Sequence, residues 1–418
     1  MKKISGASKE TTKFGVYVLK DDKAEKITDA KSHTFGTLAS LDREKTDIVI
    51  TDINKDLENS SGKSIKTREY TDMLTMSKAL LDKETKAMIM NEGYVQSIAE
   101  AEGYEDFQDK VKEIATYEVS TEAKAASGDV AADGVFTMFV SGIDTRGSMT
   151  QSSRSDSNIL AVVNTNTHQI LLVSTPRDYY VETSMSKGQK DKLTHAGIYG
   201  VECSMKTLEK IYDTDINYYF RVNFGGFQEI IKALGGVTVH SDYAFNSNQT
   251  TEKTYHFKEG DNYMDAEAAL AFARERYAVP QGDIQRGRDQ MYVIQAILNK
   301  MMSPAMLKNY SGLMKSIEGS FETSLPYDTI SKLVSDELDS GASWDIQTYA
   351  VTGTDASKTT YSAPSSHAYV MIPDQAIVDL AKTYINNVLA DKTVTVNPDD
   401  AKKSTDTKSS KNTVTEPQ

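Results

Sequence analysis

Three apolar runs, VFTMFVSGI, NILAVVN and QILLVST, follow one another between residues 135 and 175 with no charged side chain inside them. Segments of this length, rich in β-branched and aromatic residues, read as strands. The polar stretch Asn164 to His168 separates the second from the third, and a connection that short joins them as an antiparallel hairpin. Helical patterns follow. The fold class is therefore α/β, with a main domain built on a central, mainly antiparallel or mixed sheet flanked by helices.

Ahead of these strands, short apolar runs alternate with helical patterns: FGVYVL, a helical stretch from Phe35 to Leu41, the run TDIVITDI, a helix from Tyr70 to Leu81, KAMIM, and a helix near Tyr94. This rhythm predicts a small α/β accessory domain over residues 1–118. It holds Arg43 and Arg68 and scattered charges, so a partner-binding or supporting role is expected there, with the chemistry elsewhere. VSTEAKAASGDVAADG reads as a linker over 119–134, the main domain as 135–392, and the Ser/Thr/Lys-rich residues 393–418 as a disordered tail.

A formal net charge of −13 argues against a generic nucleic-acid binder, so any anion site has to be local. Cys203 is the single cysteine, which excludes an intramolecular disulfide and a cysteine-rich metal site. No apolar run reaches about 20 residues, and MKKISGASKETTKFG lacks the apolar core of a signal peptide. The polypeptide is expected to be soluble, its abrupt start being compatible with removal of a membrane segment.

Eight of the ten arginines lie between Arg146 and Arg288, four of them in FARERYAVPQGDIQRGRDQ. Planar, permanently charged, bidentate donors gathered in one region of an acidic chain point to recognition of phosphate or carboxylate. The hairpin puts Asp156, before its first strand, near Arg177, after its second. An antiparallel pairing of the preceding strand would bring Asp144 to the same edge. Paired carboxylates beside phosphate-binding arginines suit Mg²⁺, with Mn²⁺ as an alternative; turn capping is the other reading of both aspartates.

MDAEAALAFARERY predicts a helix with Asp265 as N-cap that ends near Ala273, because Arg274 and Arg276 share a side only on extended chain. The next helix is expected after Gly282, with Asp283 as N-cap. Its apolar stripe through Val293, Ile297 and Met301 extends backward to Gln290 and Arg286, polar residues on the core-facing side and so better ligand contacts than surface groups. Arg288 falls on the opposite face and is expected to be solvated. A general acid or base role for His195 weighs less than a hydrogen-bonded structural one, and FGGF and LGGV lack phosphate-loop spacing and read as turns.

Together these segments resemble the LytR-CpsA-Psr family, in particular its capsule-type CpsA members. The resemblance rests on FVSGIDTRG, SRSDSNILAVVN, ILLVSTPRDYYV, KLTHAGIYG, FGGFQEIIKALGGVTV, FKEGDNYMDAEAALAFARERY and GDIQRGRDQ, which in this order cover nearly all of residues 136–300. It implies an extracytoplasmic enzyme of Gram-positive bacteria, tethered by N-terminal membrane sequence that this chain lacks. The implied activity is that of a phosphotransferase, which moves a glycopolymer from an undecaprenyl-pyrophosphate carrier to peptidoglycan. Carried over, the metal-side acids are Asp144 and Asp156, and the pyrophosphate-side residues are Arg154, Arg177, Arg274, Arg276, Arg286 and Gln290. Asp283 would orient Arg276 or act on a substrate hydroxyl, and joins Asp144, Asp156, Arg177 and Arg274 in the implied catalytic set. Many members carry arginine where this chain has Asp289, so no phosphate contact is expected there.

The lipid tail requires an apolar tunnel between sheet and helices, for which ILAVV, ILLV and the Val293 stripe are candidates, although the same residues suit a packed core. Two alternatives stand beside the transferase: a hydrolase that cleaves polyprenyl pyrophosphate with water, and a non-catalytic lipid-binding regulatory protein.

Overall fold

The computed structural model describes residues 9–61, 64–122, 131, 134–143, 150–247 and 253–397. Most of the expected linker and of the expected tail lies outside the described residues. Among the described residues, no helix is long and apolar enough to cross a membrane.

The N-terminal unit is a five-stranded sheet formed by β1 (Lys9–Leu19), β2 (Thr34–Leu38), β3 (Lys66–Tyr70), β4 (Ala87–Asn91) and β5 (Val111–Glu122), in the order β3-β2-β4-β1-β5. Helices α1 (Arg43–Ser61) and α2 (Met73–Leu81) cover its two faces. Two sequence expectations are exchanged here. Phe35 to Leu38 form a strand, and TDIVITDI lies within α1. In α1 the residues Val49, Ile53 and Leu57 recur every four positions and are buried against the sheet, while Ile48 stays 48% exposed, which is a helical stripe. Strand β2 sits between β3 and β4, with Phe35 packed toward α1 and Leu38 toward α2, so burial on both faces hides the alternation that would have marked a strand. Strand β5 continues to Glu122, pairing with Lys9, beyond the point where the linker was expected to begin.

The main sheet has six strands. To β6 (Val135–Ile143), β7 (Ser155–Asn164) and β8 (Gln169–Ser174) are added β9 (Tyr218–Val222), β10 (Glu322–Thr323) and β11 (Asp345–Ala350), in the order β10-β9-β6-β7-β8-β11. The β6–β7 and β7–β8 pairs are antiparallel, and β9 and β11 join in parallel, giving the expected mixed sheet. Asn164 closes the hairpin, its side-chain oxygen accepting from the Asn166 and Thr167 N–H groups, and His168 takes a positive φ of 51°.

Alternate residues of these strands serve different layers. Phe139, Leu160, Val162, Leu171 and Val173 pack against α3 (Val201–Tyr212) and α8 (Gln375–Leu389) in a dense core. Val140, Ile159, Ala161, Ile170 and Leu172 face the other way, toward α4 (Phe224–Ala233), α5 (Ala266–Arg274), α6 (Asp283–Met301) and α7 (Tyr327–Ser340), where the packing is open. FGGF, expected as a turn, begins α4. Asn223 caps it, and Gly226 is pressed so close to the Ser320 carbonyl that a Cβ would lie 1.8 Å from it.

The two units share buried polar contacts. Arg221 on β9, 2% exposed, donates to Glu10 Oε1 and Glu322 Oε2, each at 2.6 Å, and Glu10 also accepts the Val201 N–H at 2.9 Å. Tyr94 donates to Tyr199, and His195, held by Asp191 at 2.8 Å, meets Ser97 at 3.3 Å, the structural environment expected for this histidine. Removing one member of a buried ionic set leaves its partners uncompensated. Arg221→Met should therefore lower stability by about 3–5 kcal/mol in urea unfolding, whereas Arg288→Met should stay within about 0.5 kcal/mol.

Candidate active site

The hairpin ends carry the first charges. Residues Ile159 and Ser174 are paired in the β7–β8 register, so Asp156 and Arg177, three residues further out on each side, meet beyond the last ladder bond. Arg177 Nη1 lies 3.1 Å from Asp156 Oδ1, which also accepts from Thr194 Oγ1 at 3.2 Å. Arg154, just before β7 and 3% exposed, donates to Glu100 Oε1 at 2.7 Å. Arg177 additionally approaches Asp178 at 3.5 Å and Glu100 at 4.0 Å, and Lys192 holds Asp178 at 3.0 Å.

Helix α6 brings Arg286 into the same group. Its start is packed on the end of β8, where Gly287 leaves room: a Cβ there would lie 2.5 Å from Ser174 Oγ. Arg286 Nη2 then reaches the Asp156 carbonyl at 3.4 Å and Asp283 Oδ1 at 2.5 Å. Asp283 is the first residue of α6, with Gly282 as its cap, and one turn separates it from Arg286, so it pairs with that arginine rather than with Arg276. Burial works against ionisation of Asp156, but Arg177, Arg154 and Arg286 outweigh it and hold the carboxyl well below the usual range. At Asp283 the balance reverses, and burial pushes the carboxyl up despite Arg286.

Other expected residues are placed apart from this cluster. Helix α5 ends at Arg274, whose guanidinium lies 4.3 Å over the Phe224 ring. The chain turns after it because Glu275, fully buried, accepts the N–H groups of Arg276, Tyr277 and Ala278. Arg276 is thereby directed to the Tyr277 hydroxyl at 2.7 Å. Gln290 donates to the Ala273 carbonyl at 3.2 Å, and Arg288 binds Gln281 and Gln285 on the other face of α6. Asp144 lies outside the described residues. Glu100, Asp178, Lys192 and Thr194 were not singled out by sequence; adjacency to Arg177 was a signal for Asp178, but nothing local marks Glu100.

Arg274, Gln290, Gly142 and Ser157 are among the residues that line an apolar cavity of about 600 Å³ between the open sheet face and the helices. Its walls include Val140, Leu172, Phe220, Val293, Ile297 and Met301, so one face of ILAVV and ILLV, with the Val293 stripe, lines a void, while Leu160, Val162, Leu171 and Val173 on the other face fill a core. Arg274 and Gln290 thus add a charged and a hydrogen-bonding group to the lining of an otherwise apolar cavity. Among the described residues, no group of three or more His, Cys, Asp or Glu side chains is placed to hold a metal. Mg²⁺ requires fewer: one or two carboxylates suffice where phosphate oxygens and water complete the shell, and Asp156 offers a hard oxygen beside arginine donors, so the donor chemistry fits.

The sequence profile described as the LytR_cpsA_psr family matches residues 89–378, well over half of the chain. The chain belongs to the LytR_cpsA_psr family. This family member is 37% identical over 188 residues to a polyisoprenyl-teichoic acid–peptidoglycan teichoic acid transferase, TagU, of Bacillus cereus, the match covering 45% of this chain and 59% of the relative's length. In structure it resembles TagV of B. subtilis, with a TM-score of 0.52 and 25% identity over 62% of this chain and 98% of that one. It also shares its fold with a TagT structure bound to LI-WTA, with a TM-score of 0.50 and 24% identity over 64% of this chain and 97% of that one.

Asp289 is 1% exposed and accepts a hydrogen bond from Gln285 at 3.0 Å. Burial pushes its carboxyl up to about 7. An unfolded aspartate titrates near about 3.9, so between that value and the folded one the unfolded state has lost a proton that the folded state keeps, and stability falls as pH rises. Asp289→Asn should remove this component: its unfolding midpoint should drop less than that of wild type between about pH 5 and about pH 8. Equal drops would show that Asp289 is not the titrating group.

Proposed function

We propose that this protein is a phosphotransferase that moves a glycopolymer from a polyprenyl-pyrophosphate carrier, such as undecaprenyl pyrophosphate, to peptidoglycan at the outer face of the cell membrane. The observation that carries this reading is that one sheet carries the Arg154–Arg177–Arg286 cluster beyond the ends of its central hairpin and, on one face, an apolar cavity whose lining includes Arg274 and Gln290. A pyrophosphate and a long hydrocarbon need this combination in one ligand site. The name of TagU, a polyisoprenyl-teichoic acid–peptidoglycan teichoic acid transferase, and the TagT complex with LI-WTA agree with a polyprenyl-linked polymer as donor. A capsule-type polysaccharide is the finer reading, supported by the α/β unit ahead of the main domain.

In this scheme the arginines and Arg274 take the pyrophosphate charge while the prenyl chain occupies the cavity. A sugar hydroxyl of peptidoglycan attacks the sugar-linked phosphorus, forming the new phosphodiester bond as the bond to the bridging oxygen breaks and polyprenyl phosphate leaves. Positioning and neutralisation supply most of the catalysis in such transfers. Asp156, together with Asp144, would hold Mg²⁺, which when bound adds further neutralisation of the phosphate oxygens. Arg276 would join the phosphate contacts by turning from Tyr277.

The test is an assay of polyprenyl phosphate release from a polyprenyl-pyrophosphate oligosaccharide, with and without peptidoglycan. Release should require the acceptor, with label transferred to it; equal release without acceptor would favour the hydrolase, and none under either condition the regulatory lipid-binding protein. Arg177→Lys keeps the buried charge but not the planar fork, and should lower turnover by about 10²-fold or more with the thermal midpoint little changed. Turnover equal to wild type in both Arg177→Lys and Arg274→Ala would remove the arginines from the reaction. Parallel teichoic-acid and capsule-type donors identify the polymer.

A further inference from the structure

Glu100 belongs to the N-terminal unit, yet its carboxylate stands in the arginine cluster. It follows the short helix Val95–Ala99, with Oε1 at 2.7 Å from Arg154 and 4.0 Å from Arg177. Among the described residues of this network, Arg154, Arg177, Lys192 and Arg286 face Glu100, Asp156, Asp178 and Asp283, so cations and carboxylates are matched in number. An incoming phosphate gains little from a cluster whose charges are already paired, and binds well only where a resident acid gives up its arginine.

The four acids are not equally able to yield. Asp156 is fixed on a central strand and accepts from both Arg177 and Thr194; Asp178 is held by Lys192; Asp283 is held by Arg286 on its own helix. Their side chains are 23%, 10% and 18% exposed, whereas that of Glu100 is 36% exposed and comes from the other unit. Arg154 itself is 3% exposed and has no solvent path to follow its partner. Resting on the reading of these arginines as a pyrophosphate site, we propose that the Glu100 carboxylate holds the place of a phosphate oxygen on Arg154 and is displaced when pyrophosphate binds. Occupancy of the donor site is thereby coupled to the position of Glu100 and the short segment that carries it. The coupling is local, because Tyr94–Tyr199, Ser97–His195 and Glu10–Arg221 hold that unit in place independently of Glu100. By reciprocity, whatever draws Glu100 away from Arg154 strengthens donor binding by the same factor.

The experiment is calorimetric titration of the whole protein with inorganic pyrophosphate, comparing wild type with Glu100→Gln and Glu100→Asp. Removing a resident charge-assisted contact should tighten binding roughly tenfold or more in Glu100→Gln. Glu100→Asp, which keeps the charge but shortens its reach, should fall between. Equal or weaker binding by Glu100→Gln overturns displacement and leaves Glu100 as a residue that merely orients Arg154. Pyrophosphate binding by neither wild type nor Glu100→Gln overturns the pyrophosphate site itself, and this inference with it. If Glu100→Gln does not fold, hydrogen exchange of wild type decides: amides of residues 95–104 should exchange faster with pyrophosphate than without, and unchanged or slower exchange overturns the proposal.

Discussion

The ion pair between Asp156 and Arg177 is the interaction around which the site is organised. It forms because one antiparallel hairpin closes, and it needs no contribution from the remainder of the chain to bring its two members together. It cannot, however, persist alone: a partly buried carboxylate with one arginine would leave Arg154 and Arg286, both nearly buried, short of partners. Glu100 and Asp283 meet that need, the first from the N-terminal unit and the second from the first turn of α6. The charge cluster thus ties the N-terminal unit and α6 to one end of the central β7–β8 hairpin.

The same sheet explains the second half of the site. Its strands are apolar on both faces, but the faces are used differently. One is closed by α3 and α8, with Leu160, Val162, Leu171 and Val173 fully buried. The other is roofed by α4 to α7 without being filled, and Leu172 and Ala161 line the cavity. A void of this size in an apolar layer forfeits packing that an ordinary core would make. Under the proposed function, that loss has a use: the cavity, with Arg274 and Gln290 in its lining, takes the hydrocarbon chain of the donor.

What could be read from sequence was what depends on near neighbours. The meeting of Asp156 and Arg177 followed from hairpin geometry, and the inward placement of Arg286 followed from the stripe through Val293. Elements covered on both faces were harder: β2 lost its alternation because Phe35 and Leu38 are both buried, and TDIVITDI passed for a strand until Val49, Ile53 and Leu57 were seen to share one face of α1. FGGF reads as a turn from its paired glycines alone; Gly226 is a glycine because the Ser320 carbonyl presses on it. Alternation grouped Arg276 with Arg274, but the buried Glu275 between them captures three backbone N–H groups and redirects the second arginine. Glu100 was beyond reach, since its role depends on how two units dock.

The most direct measurement is a crystal structure of the protein with a polyprenyl pyrophosphate bound. The expected result has phosphate oxygens within hydrogen-bonding distance of Arg177 and Arg274, and the prenyl chain running between Leu172 and Ile297. A ligand whose pyrophosphate lies away from the arginines, or whose chain leaves the cavity unfilled, would contradict a donor site shared by the charge cluster and the apolar channel.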